Sequence, residues 1–246
     1  MKRLVLKFGG TSVANLERIA HVAEIVEARH KECPALAVVV SAMSGTTNQL
    51  VEWTKGAAGP DLHGPAYDEE YDVVVASGEQ VTAGLLALAL RKRGLKARSW
   101  LGWQIKLRTD EAHGRARITG CDNPEFQKSV DSGEIAVVAG FQGVDDNGRV
   151  STLGRGGSDT SAVAVAAALQ ASLCDIYTDV DGVYTTDPRI TPKARRLAKI
   201  SYEEMLELAS LGAKVLQTRS VELAMNHRVP VRVLSSFEGA VPSPNT

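Results

Sequence analysis

An α/β fold with a largely parallel central sheet is predicted by three observations. Short β-rich runs alternate with helical periodicities along the whole 246-residue chain. Two of those runs, ALAVVV at 35–40 and IAVVA at 135–139, are continuously apolar, as strands covered on both faces require. Glycine and polar loops follow the runs directly, at the carboxyl ends where an open parallel sheet takes its ligands.

The elements follow in chain order. Residues 3–7 are a short β-rich run that stops at Gly9-Gly10. Residues 15–31 carry Leu16, Ile19, Ala23 and Val26 at helical spacing. After the strand at 35–40 comes a polar loop, SAMSGTTN, and then a helix near 49–55. Residues 56–65 read as a loop. Val73 to Val75 read as a strand leading into Ser77-Gly78-Glu79-Gln80, and a helix continues to Arg93. The cluster Arg91, Lys92 and Arg93 suits the negative end of that helix's dipole. Strands are expected at 96–100 and at 135–139, the latter ending on Gly140. Asp145-Asp146-Asn147-Gly148 predicts a hairpin turn. Then come a helix at 159–170, a strand at 172–178, helices at 201–211 and 213–227, and a last strand at 231–234. Neither a Pro/Gly/Ser-rich linker nor an internal repeat divides the chain, so a single domain is expected, with a frayed tail at its end.

Composition narrows the function. Twenty-eight Lys and Arg against 29 Asp and Glu leave a formal charge of −1, which argues against nucleic-acid or membrane binding by bulk electrostatics. Lys7 interrupts the N-terminal apolar stretch before it reaches the length of a secretory signal, and no run approaches the ~20 apolar residues of a membrane span. Cys33, Cys121 and Cys174 are scattered and odd in number, as reduced cytoplasmic thiols are. His21, His30, His63, His113 and His227 do not cluster, so no protein-ligated metal is expected.

Five segments carry candidate chemistry. In Lys7-Phe8-Gly9-Gly10-Thr11-Ser12, bare backbone amides and a lysine at a strand end suit a phosphate, although a plain tight turn reads equally well. In Gly154-Arg155-Gly156-Gly157-Ser158-Asp159, three glycines clear space around one guanidinium ahead of a helix N-terminus. That suits an anion, most naturally a carboxylate gripped bidentately. The plainer reading is a glycine loop in which Ser158 or Asp159 caps the helix. Asp159 stands where the third glycine of G-x-G-x-x-G belongs, which disfavours a dinucleotide site. The stretch Thr178-Asp179 to Arg189 holds acids before a glycine, then Tyr184 and Arg189, and contains ordinary turn chemistry. Glu79 is either a solvated acid or a ligand group. Lys214, near a helix start, opposes the dipole and hints at a local anion.

Taken together, the blocks KFGGTSV, SAMSGTTN, SGE, GFQG, TLGRGGSDTSAVAVAAAL, YTDVDGVYTTDPR, LASLGAKVLQTRSVELA and VPVRVLSSF resemble, in this order, an aspartokinase catalytic domain of the amino-acid kinase family. The resemblance covers about residues 2–237. It implies a three-layer αβα sandwich, an acceptor lobe over about 1–150, a nucleotide lobe over about 151–237, and a tail at 238–246. It also implies transfer of the γ-phosphoryl of MgATP to the side-chain carboxylate of L-aspartate, the first step of lysine, threonine and methionine biosynthesis. By the same resemblance Lys7, Gly9 and Gly10 would stabilise the moving phosphoryl group, with Asp159 orienting Lys7. Arg155 would clamp the α-carboxylate and Glu79 would pair with the ammonium, in a pocket lined by Ser41, Thr47, Phe141 and Ser158. Thr178, Asp179, Tyr184, Arg189, Lys214 and Val215 would hold the nucleotide, and magnesium would ride on its phosphates. A homodimer is a further expectation.

Two features depart from that pattern. The chain stops soon after the SSF segment, where such kinases usually continue into paired ACT domains, so no ACT domain is expected. Lys106 and Arg108 add charge to the WQIKLRTDEAHG loop, as a solvated loop or as a shifted acceptor preference. A same-fold kinase for another small acid and a catalytically silent regulatory subunit stand as alternatives.

Overall fold

The computed structural model describes residues 2–213 and 215–237. The elements of the first half are β1 (Leu4–Phe8), α1 (Leu16–Glu32), β2 (Leu36–Val40), α2 (Thr46–Ala58), α3 (Pro65–Val75), α4 (Ser77–Lys92), β3 (Ala97–Trp100), β4 (Leu107–Thr109) and β5 (Ile118–Cys121). The second half adds α5 (Pro124–Asp131), β6 (Ile135–Ala139), β7 (Gln142–Val144), β8 (Val150–Thr152), α6 (Gly157–Ala168), β9 (Leu173–Thr178), α7 (Tyr202–Ser210), α8 (Thr218–His227) and β10 (Val231–Ser235).

Six strands pair in parallel in the order β10-β9-β1-β2-β6-β3. Strands β1, β2 and β6 are buried at every position, the reason their sequences run apolar without alternation. Alternate residues of each strand enter two separate cores. Leu4, Leu6, Val38, Val40 and Val137 pack with α1 and α4. Val5, Ala37, Val39, Val138 and Ile176 pack with residues of α5, α6, α7 and α8 on the other face. The result is the expected helix–sheet–helix sandwich. Beyond its polar first turn, helix α6 is apolar and small on every side, as a helix enclosed by its neighbours must be.

Four regions differ from the sequence reading. Val73 to Val75 belong to α3, not to a strand. Pro65 in its first turn and the acidic Asp68 are helix-start signals, and Asp72 and Val75 face inward one turn apart. Strands β4 and β5 and helix α5 lie where no element was expected. The strands join β7 and β8 in a second four-stranded sheet, order β5-β4-β7-β8. Its β7–β8 hairpin turns at Asp145–Gly148 as predicted, with Gly148 at φ +76°. Helix α8 begins at Thr218 rather than at the expected residue 213. Finally, the helical run 65–92 is long and apolar enough to cross a membrane by length and composition, against the expectation that no run approaches that length. Half of its most apolar stretch is buried in the fold, as in the core helix of a globular domain.

Cys33 and Cys174 are buried and Cys121 is partly so, and all three are free thiols. Burial pushes the Cys121 thiol up to about 12, which keeps it protonated and inert. Lys106 and Arg108 are both exposed. Lys214 and the tail at 238–246 lie outside the described residues.

Candidate active site

Because β9, β1, β2 and β6 are parallel neighbours, the loops after them emerge along one edge. Lys7 lies within β1 near that edge and is buried. Its Nζ sits 2.6 Å from Oδ1 of Asp159, in the first turn of α6. The contact pairs two nearly buried charges without the angle of a hydrogen bond. A Cβ on Gly9 would stand 3.4 Å from that Nζ, and one on Gly10 would stand 3.0 Å from the Ala42 carbonyl. The glycines thus keep the space beside the ammonium open and let the β1 and β2 loops close on each other.

The loop after β2 starts at Ser41, whose N–H donates to Phe8 O at 3.1 Å. It is tied to α4 by Ala42 N–H, which donates to Oε1 of Glu79 at 3.0 Å. Glu79 is only 3% exposed, and its other oxygen, Oε2, is buried without a partner. Burial pushes its carboxyl up to about 7, against the opposing pull of the Ala42 N–H. Thr47 lies in the first turn of α2, whose neighbour Thr46 packs against Gly78 at the start of α4.

The third wall is the α6 start. Gly156 has φ +75°, and Gly157 leaves room for the Phe141 ring and Leu153, each under 3 Å from where its Cβ would stand. Phe141 itself adopts φ +67°, held by Ser161 Oγ accepting from its N–H at 3.0 Å and by Leu153 N–H donating to its carbonyl. Ser158 is buried against the bare backbone of Gly140. Arg155, at the tip of this loop, is exposed.

The structure therefore brings Lys7, Gly9, Gly10, Ser41, Glu79, Phe141, Ser158 and Asp159 to one rim. Thr178 and Asp179 lie at the end of β9 on the same edge, bonded to each other at 3.1 Å. Tyr184 donates to Asp181, and Arg189 forms an exposed pair with Asp187 at 2.7 Å, both in the long loop that follows. Val215 is partly buried against the α6-side core. Among the described residues no group of three or more His, Cys, Asp or Glu converges as a metal site. The sequence reading passed over Asp72, whose carboxylate is wholly buried and accepts from two distant segments. The helix-start signals of α3 could have placed it on a helix, but no local pattern marks its partners.

A parallel sheet with a buried lysine–aspartate pair and glycine loops along its carboxyl rim places the chain among α/β proteins, the class whose ligands sit at the carboxyl ends of the strands. The chain belongs to the amino acid kinase family, whose model matches residues 2–235. It is 56% identical over 238 residues to an aspartokinase of Pseudomonas aeruginosa, covering 97% of this chain and 57% of that protein. It thus spans little more than half the length of the curated relatives it matches. Aspartate kinase from Synechocystis superposes with a TM-score of 0.82 at 44% identity, over 96% of this chain and 38% of that one. Aspartokinase III of E. coli, solved with aspartate and ADP, also gives 0.82, at 30% identity over 96% and 62% of the two chains.

Proposed function

We propose that this chain is the catalytic part of an aspartate kinase, moving the γ-phosphoryl of MgATP to the side-chain carboxylate of L-aspartate. The observation that carries the reading is the Lys7–Asp159 pair at the same rim as a buried Glu79 oxygen that lacks a partner. Together they offer a cation for a phosphoryl group and an anion for an ammonium. The chain's relatives named aspartokinases, and the aspartate and ADP bound by the E. coli enzyme, support the choice of substrates.

The chemistry asks little of the protein beyond position and charge. The acceptor carboxylate, with an ordinary pKa near 3.9, is already ionised at neutral pH, so no general base is needed. One carboxylate oxygen attacks phosphorus as the bond to the ADP oxygen breaks, giving 4-phospho-L-aspartate and ADP. Lys7 neutralises the equatorial oxygens in transit, and Asp159 holds its ammonium in place. Arg155 takes the α-carboxylate in a bidentate grip and Glu79 takes the ammonium, with Ser41, Thr47, Phe141 and Ser158 around them. Thr178, Asp179, Tyr184, Arg189, Lys214 and Val215 form the nucleotide side, where magnesium supplies charge neutralisation from the phosphates it rides on. The free thiols accord with a reducing cytoplasm as the place of reaction.

The test is chemical trapping. Protein, MgATP and a panel of amino acids are incubated with hydroxylamine, which captures acyl phosphates as hydroxamates. A signal with aspartate alone is expected. Nucleotide binding without turnover on any acid would instead favour a silent regulatory subunit.

A further inference from the structure

Asp72 lies on α3, remote in sequence from every site residue except Glu79, and its side chain is fully buried. Two other segments bond to its carboxylate. Gly114 N–H donates to both oxygens at 3.0 Å, and the His113 Nδ1 lies 2.8 Å from Oδ2. Thr152 donates its N–H to Oδ2 at 2.9 Å and its hydroxyl to Oδ1. A buried carboxylate with this many donors is a fixed point, because moving any one donor away leaves charge unsatisfied in a dry interior.

The segments tied there lead to the two ends of the acceptor site. Thr152 closes β8, two residues before Gly154 and three before Arg155. The loop at 113–115 forms the wall against which Gly154 turns. Gly154 has φ +71°, and a Cβ on it would stand 3.2 Å from Gly114 O. In the other direction, α3 runs almost without break into α4. There the Ala76 carbonyl accepts from Gln142 Nε2 at 2.8 Å, and Glu79 lies in the first turn of α4.

We infer that Asp72 is a positioning residue for acceptor binding: it fixes the Arg155 loop relative to the helix that carries Glu79, and so sets the spacing at which an amino acid's carboxylate and ammonium are read. The inference rests on the roles proposed above for Arg155 and Glu79. Among the described residues no hydrogen bond joins Asp72 to Lys7, Asp159 or the end of β9, so ADP affinity is the quantity expected to stay unchanged.

Asp72→Asn turns one acceptor oxygen into a donor facing donors. Thr152→Val removes only the hydroxyl, and Thr152→Ser restores it. With wild type making hydroxamate, the aspartate KM is expected to rise about tenfold in Asp72→Asn and Thr152→Val, with kcat within about threefold of wild type, since small misplacements weaken oriented binding steeply. ADP affinity by calorimetry should stay unchanged, and Thr152→Ser should behave as wild type. A merely structural role would lower the active fraction, and so kcat, with KM unmoved. Amide hydrogen exchange supplies a readout that needs no turnover: residues 153–157 should exchange about tenfold faster in Thr152→Val than in wild type. A folded Thr152→Val variant with unchanged aspartate KM, or with unchanged exchange at 153–157, overturns the inference. A wild-type protein that phosphorylates no amino acid overturns the proposed function instead, and the exchange comparison still decides the role of Asp72.

Discussion

At the scale of single residues, the proposed function divides its work between two charges and one buried acid. Lys7 is enclosed and paired, whereas Arg155 is exposed, so their substitutions should read differently. Lys7→Ala is expected to lower kcat by roughly 10²–10³-fold, the usual cost of removing one preorganised donor from developing charge. Arg155→Ala should raise the aspartate KM at least tenfold and leave the KM for ATP alone, with stability within about 0.5 kcal/mol of wild type, as is common for an exposed side chain. Equal weakening of both substrates in steady-state kinetics would contradict the carboxylate clamp. Glu79 makes a pH prediction. Its carboxyl is raised from 4.5 to about 7 by burial, so the folded state binds its proton more tightly than the unfolded chain does. Its contribution to stability is therefore complete below pH 4.5 and is lost as pH rises through 7. Glu79→Gln should be the more stable protein at pH 8, by roughly 2–3 kcal/mol, with the difference vanishing toward pH 4.5 in urea melts. Aspartate binding runs the other way. In the proposed function an ionised Glu79 meets the ammonium, so the wild-type KM for aspartate should fall between pH 6 and 8, and the Gln variant should lose that dependence.

At the scale of elements, the α6 start shows how much of the site lies in local sequence. TLGRGGSD announces a glycine turn and a helix N-terminus, and both are there, with Gly156 at φ +75°. What the glycines make room for was not legible. A Cβ at Gly156 would lie 1.9 Å from Gln217 Cγ, from the segment just before α8, and one at Gly157 would press on Phe141. Gly156→Ala combines a left-handed backbone with that collision, and is expected to cost about 1–3 kcal/mol by thermal or denaturant unfolding. A neutral result would mean that the Gln217 segment moves freely away. Helix α3 is the opposite case. Its Pro65 start and Asp68 were readable as a helix signal. The run Val73-Val74-Val75, β-branched and short, masked it, because such a run fits a strand or a buried helix equally well.

At the scale of the whole molecule, the sheet is clamped beneath its functional edge by one buried acid. Asp175 of β9 is fully buried and accepts from Arg29 of α1 at 3.0 Å and from Arg232 of β10 at 2.8 Å, which ties the outermost strand to the helix layer. Asp175→Ala would leave the Arg232 guanidinium without its acid and Arg29 with Glu32 alone, and should destabilise the fold by about 3 kcal/mol in denaturant unfolding. A loss under 1 kcal/mol would show that the arginines find water instead. The residue types of the loops, the strands that precede them and the bare backbone around Lys7 and Arg155 could all be read along the chain, because turn and strand preferences are local. The meeting of Lys7 with Asp159, the enclosure of Glu79 and the joining of three segments on Asp72 could not. Those depend on strand order, since residues far apart in sequence become neighbours only when parallel strands bring their carboxyl ends to one edge, and burial, which raises the Glu79 carboxyl, exists only once the helices have closed over the sheet.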